Sequence, residues 1–158
     1  QGLSGPVERV PLSDGAAAII LAAGDRALEL NDHPAWIHGI EHRMDCGELS
    51  QRDLTQLSSA QACARALDLP QYRIEQAELH FNFEQQRTLL KESLQLADDV
   101  PINTGASSQV DAYMVSGLLR IGEAARAVMN GSVSTSLAHA SAGPAMQQNL
   151  LCVLGAKP

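Results

Sequence analysis

Hydrophobic and polar positions change period several times along this chain, and each change marks an element. Residues 16–23 (AAAIILAA) are an unbroken apolar run, which predicts a strand buried on both faces, introduced by Ser13-Asp14-Gly15 and closed by Gly24-Asp25. Residues 35–44 (AWIHGIEHRM) alternate instead. They predict a second strand with one polar face, in which Gly39 marks a bulge or a close contact. The period then lengthens: Ala60, Cys63, Ala64 and Leu67 share one helical face behind Ser58 and Gln61, which have capping-box spacing. That helix is expected to stop before Pro70. Residues 74–80 read as a strand feeding a helix opened by Asn82 and Gln85, with Phe83, Leu89, Leu90 and Leu94 on its apolar side.

The clearest stripe runs through Val110, Met114, Gly117, Leu118, Ile121, Ala125 and Val128. It predicts a helix over 109–129, preceded by a short strand and stopped by Asn130-Gly131. Gly117 and Gly122 inside it are expected where another backbone packs closely. Residues 132–139 and 148–154 complete the pattern as an antiparallel strand pair joined by a loop containing Gly143-Pro144. Strands interleaved with helices indicate the α/β class, a mixed sheet with crossover helices. Sites in such sheets gather on loops beyond strand ends, here those beginning at His80, Asn103 and His139.

Composition narrows the function classes. The 158 residues are one domain long, and 45% hydrophobic against 18% charged residues excludes a disordered chain. A net charge of -7, with no basic run, disfavours nucleic acid and anionic lipid as partners. The eight-residue apolar run is far short of the roughly 20 residues that span a bilayer. The opening QGLSGPVERVPL lacks the basic and apolar regions of a signal peptide, and a start at Gln1 rather than Met predicts a processed product or a fragment. Three cysteines, widely spaced and without CxxC or histidine partners, indicate neither a disulfide framework nor a metal site. A reducing, cytoplasmic setting fits this usage.

Several residues have the chemistry for a site, each beside a plainer reading. His80 at a strand end could polarise a carbonyl or hold a substrate oxygen, or could be packed between Phe81 and Phe83. Cys46, in a loop beside Asp45, reads as a spectator thiol because a neighbouring carboxylate raises a thiol pKa; Cys152 reads as a small core residue. Asp111 stands three residues after Ser108, the position from which a carboxylate caps a helix, though it could also serve as a base at the loop mouth. Tyr113, one turn on, either presents its phenol to a site or packs in the core. The 139–149 loop is a hairpin connection whose backbone N–H groups could act as oxyanion donors.

Taken together, SDGAAAIILA (13–22), AELHFNF (77–83), NTGASSQVDAYMVSG (103–117), LLRIGEAARAV (118–128) and AHASAGPAMQQNLLCVL (138–154) resemble the C-terminal half of the thiolase superfamily, closest to the sterol-carrier or lipid-transfer type. The resemblance covers nearly all of 1–158, in order. It implies one half of a five-layered fold, with a mixed five-stranded sheet and helices on both faces. It also implies acyl-CoA thioesters as substrates rather than a resident cofactor, and acetyl-CoA acetyltransferase-like chemistry in lipid or steroid metabolism. The nucleophilic cysteine of that family lies in an N-terminal half absent from this chain. The implied partner is that half or a sister subunit, in a homo- or hetero-oligomer.

His80 and Phe83 match the ends of the family's His-Asp-Cys-Phe motif. Asp111 falls where its second histidine stands, and Ala145 where a cysteine often follows Gly-Pro. Ordinary thiolysis is therefore not expected, and this chain alone is expected to be inactive. The resemblance gives His80, Asp111 and Tyr113 as catalytic residues, and Asn103, Gly105 and Gly143 as substrate-binding residues. Two further readings stand beside the leading one: a retro-aldolase component acting on β-hydroxyacyl-CoA, and a non-catalytic scaffold subunit of an acyltransferase complex.

Overall fold

The computed structural model describes residues 8–158, so the opening stretch read as lacking a signal peptide lies partly outside the described residues. In chain order these residues form α1 (Gly24–Leu30), β1 (Trp36–Met44), α2 (Ser58–Ala66), β2 (Gln76–Glu78), α3 (Glu84–Leu94), α4 (Ser116–Met129), β3 (Thr135–Ala142) and β4 (Gln148–Gly155). The strands make one sheet in the order β1-β4-β3-β2. β4 runs antiparallel to β1 and β3, and β2 is parallel to β3, which gives the expected mixed α/β architecture.

Alternation along the central strands divides the core in two. Leu137, Leu151 and Val153 pack on one face with Leu57, Cys63 and Leu90 from the α2 and α3 side. Ala138, Cys152 and Leu154 pack on the other, against Ala124 and Val128 of α4. Each fully buried Leu or Val contributes about 1.5–3 kcal/mol, so the two layers hold the sheet from both sides. Gly39 lies at the register shift expected in β1, and a Cβ there would come within 2.6 Å of Leu67.

Three expectations about the sheet fail. Among the described residues it has four strands rather than five. Residues 16–23 form no strand: Gly24-Asp25, expected to close it, instead opens α1, and Ile20 is 88% exposed. None of the four strands pairs with this run, so its N–H and C=O groups have no ladder to join. The short strand before the long helix is reduced to one bridge between Ala77 and Ile102.

The helix expected over 109–129 begins only at Ser116. Upstream, residues 106–109 and 113–115 are separate 3-10 turns around an extended Val110. The cause is a competing backbone partner. Asp111 N–H donates to Pro11 O at 2.8 Å and Asp111 O accepts from Ser13 N–H at 3.0 Å, which commits residue 111 to a parallel bridge. Asp111 is therefore not a helix-capping carboxylate. The buried face of α4 also differs from the apolar stripe: it carries Ser116, Arg120, Glu123, Ala124, Ala127 and Val128, while Met114 is 98% exposed. Gly117 meets expectation, since a Cβ there would lie 2.6 Å from Ala140 Cβ, whereas Gly122 has nothing within 4 Å. Caps shift by a residue as well. Leu57 precedes α2 without a side-chain cap, and at α3 Gln86 Oε1, not a group on Gln85, accepts from Asn82 N–H and Phe83 N–H.

Candidate functional site

β2 ends at Glu78, and two residues later His80 enters a cleft of about 640 Å3 between the β3–β4 hairpin and the turns before α4. His80, Asp111, Tyr113 and Gly143 all line it, as do Asn82 and Ser141. Residues 9–12 strap its rim: Val10 N–H donates to Asn82 O, and the Pro11–Ser13 stretch holds residue 111. Parts distant in sequence therefore meet here because β2 and β3 are parallel neighbours and the strap pins the intervening loop.

The hydrogen bonds around His80 fix its tautomer. Ser141 N–H can only donate, and it faces His80 Nδ1 at 3.3 Å, so that nitrogen is the acceptor. The proton of the neutral ring is then on Nε2. This nitrogen is buried, lies 3.5 Å from Asp111 Oδ1, and has no hydrogen-bond partner among the described residues. Burial and then the Arg120 cation hold His80 below the ordinary histidine value, against the opposing pull of Asp111. His80 is neutral at pH 7, with its Nε2–H beside Asp111 on the wall of the cleft.

Asp111 is almost fully occupied. Its Oδ1 accepts from Tyr113 N–H and from the Ser116 hydroxyl, both at 2.9 Å, and its Oδ2 accepts from Asn82 Nδ2 at 2.6 Å. Burial opposes its ionisation, but the bonds from Ser116 and Tyr113, with His80 and Asn82, outweigh that and hold the carboxyl below the usual range. A carboxylate so satisfied is a poor proton acceptor and a good electrostatic partner for an imidazole N–H.

Behind His80 lies a buried relay. His80 N–H donates to His139 Nδ1 at 3.3 Å, which places the His139 proton on Nε2, 2.8 Å from Asn149 Oδ1. Asn149 Nδ2 donates to Ser59 Oγ at 2.7 Å, and Ser59 donates to Asp45 at 2.8 Å. Burial pushes His139 down to about 4. It is a structural neutral ring, not a base.

Tyr113 sits on the cleft wall, largely exposed, with φ of 53°, a left-handed conformation uncommon for a bulky side chain. Gly143, with φ of 76°, turns the hairpin at the opposite side. Asn103 and Gly105 are not in the cleft. The Asn103 amide is committed to Leu79, accepting from its N–H at 2.6 Å and donating to its O at 2.9 Å. Gly105 N–H donates to buried Glu78, and a Cβ there would meet Glu123 at 2.6 Å, so its glycine serves close packing.

Sequence reasoning missed Arg120, Ser116 and the bonding role of Asn82. A cation and a serine on the helix that carries the strongest apolar stripe were the available signal for the first two. Among the described residues no group of three His, Cys, Asp or Glu side chains is placed to hold a metal, and no helix is long and apolar enough to cross a membrane. No protein-family profile and no curated protein matches the chain.

Proposed function

We propose that this chain is a thiolase-like domain that binds acyl-CoA thioesters in the His80 cleft, with His80 Nε2–H donating to the thioester oxygen. One observation carries the reading: a buried, neutral imidazole on a cleft with a largely apolar wall, including Phe83, Met114, Met146 and Leu150, whose N–H makes no contact tighter than its 3.5 Å approach to Asp111 Oδ1. A donor of this kind suits a carbonyl oxygen and suits still better the negative charge that develops on it. The apolar wall suits an acyl chain, and Arg9 at the rim supplies a cation for a carrier phosphate. The motif order of the thiolase superfamily supports the same class, with a place in lipid or steroid metabolism, a cytoplasmic setting and a companion half or sister subunit as partner.

Thiolysis itself needs a thiolate that this cleft does not contain. No cysteine lines it; burial raises the Cys63 thiol and pushes that of Cys152 up to about 11. A nucleophile would have to come from the companion half. Calorimetric titration of the chain with a non-hydrolysable acyl-CoA analogue tests the binding role. The expected result is saturable binding that His80→Ala weakens about tenfold, the worth of one hydrogen bond to developing charge. Equal affinity in the variant, or an analogue that does not bind, overturns the reading.

The strained backbone of Tyr113 at the cleft wall favours a second reading, retro-aldol cleavage of a β-hydroxyacyl-CoA. Its hydroxyl would accept the β-hydroxyl proton while passing its own to solvent as the Cα–Cβ bond breaks and a carbonyl fragment leaves, and the electron pair would pass into a thioester enolate, its oxygen accepting from His80 Nε2–H and its carbon taking a proton from solvent. Asp111 is too well satisfied to be that base. Cleavage retained by Tyr113→Phe would remove this alternative.

A further inference from the structure

Arg120 is the largest fully buried side chain of the described residues, 1% exposed, on the side of α4 that faces the sheet. Burying a guanidinium without a directly bonded carboxylate costs several kcal/mol, so its bonds need an explanation. All go to backbone carbonyls: Nε to Leu79 O at 3.1 Å, Nη1 to Ser107 O at 2.9 Å and Nη2 to Val110 O at 3.0 Å. Leu79 immediately precedes His80, and Val110 immediately precedes Asp111. One planar fork therefore ties the two segments whose next side chains face each other at 3.5 Å. Asn103 closes the other side of the Leu79 peptide with both atoms of its amide.

We propose that Arg120 is the positioning residue of the cleft, setting the distance between His80 and Asp111 and thereby aiming His80 Nε2–H at a bound oxygen. This role rests on the acyl-thioester reading for its ligand but not for its geometry. The charge of Arg120 acts in the same direction, since a cation beside the imidazole disfavours a second proton. The groups facing His80 are Asp111 beside it, Arg120 and His139 in the interior, and Arg9 and His42 elsewhere on the cleft wall.

The test compares wild type, Arg120→Lys and Arg120→Met by long-range imidazole nitrogen NMR across a pH series and by calorimetry with the acyl-CoA analogue. In wild type His80 should titrate below 6.5 as the Nε2–H tautomer. Arg120→Met should raise the His80 midpoint and mix the tautomers. Arg120→Lys, which keeps the charge and loses the fork, should leave the midpoint low yet weaken the analogue about tenfold. Folded variants with wild-type midpoint, tautomer and affinity overturn the proposal. If neither variant folds, the wild-type titration decides: an Nδ1–H tautomer or a midpoint at or above 6.5 overturns it. A wild type that fails to bind the analogue but shows the His80 changes in the variants retires the acyl-thioester reading and leaves the positioning role standing.

Discussion

A histidine held neutral by burial makes stability depend on pH in a calculable direction. The ordinary value of His139 is 6.5 and its folded value is about 4. Between those values the unfolded chain takes up a proton that the native chain refuses, so stability rises with pH across the window. The contribution is complete above 6.5 and is lost as pH falls toward 4, a change on the order of 3 kcal/mol from this ring alone. His80, shifted in the same direction, steepens the loss, and Asp111 extends it below its ordinary 3.8. Thermal melts from acid to neutral pH should show Tm climbing steeply between these limits, and His139→Gln should flatten the climb. A flat profile in wild type would contradict the buried relay.

Asp111 invites a second comparison. Asp111→Ala strands the Asn82 amide, the Tyr113 N–H and the Ser116 hydroxyl in a buried place, and should cost about 3 kcal/mol. Asp111→Asn keeps the acceptor on one side and should cost less. Denaturant unfolding in which both substitutions cost the same would show that these bonds do not carry the loop.

At this scale the sequence showed where His80 stands but not how its neighbours are connected, and it put Tyr113 inside a helix that begins only at Ser116. His80 was legible because a histidine at a strand end in an α/β pattern points to a loop cluster. Asp111 was read as a cap because its spacing from Ser108 is that of a cap. The hydrogen bond to Pro11 O, a contact across 100 residues of chain, redirected it, and no local pattern encodes such a contact.

Among the elements, α4 separates two kinds of glycine. Gly117→Ala drives a Cβ into Ala140 of β3 and should cost about 1–3 kcal/mol by pushing helix from sheet. Gly122→Ala meets open space in a helix interior and should stabilise by about 1 kcal/mol. Opposite signs in chemical denaturation are the expected outcome; two costs of equal size would mean that α4 does not sit on β3 as described. The contrast also explains what was legible in this helix. Its period was correct from Ser116 to Met129, and so was its stop at Gly131, where φ is 75°. Which side faced the sheet was not legible, because the rule that apolar sides go inward assumes that the chain covers its own hydrophobic stripe. Here the inward side carries Arg120 and Glu123 for the loops beneath the site, while Ile121 and Ala125 pack only partly against the sheet and, with exposed Met129, border a groove.

That groove, about 700 Å3, continues the same imbalance at the scale of the whole molecule. Its opposite wall is the 16–23 run, expected as a strand buried on both faces, and Ile20 and Leu21 stand out from it into solvent. Leu28 and Leu30 of α1, with Ile37 and Ile40 of β1, extend the exposed apolar surface toward the unpaired edge of the sheet. Exposed apolar side chains in this number beside an open strand edge favour association over a monomer. Charge does not prevent it: the net -7 is a property of the whole chain, and the 16–23 run contributes none of it. Sedimentation velocity should therefore show the chain associating as concentration rises. Replacing Ile20 and Leu21 with Glu and Lys should shift it toward monomer while leaving the His80 titration unchanged, since the groove and the His80 cleft share no lining residue. A wild type that stays monomeric at every concentration would mean that the 16–23 run tolerates solvent, and the expected companion subunit would lose its physical motive.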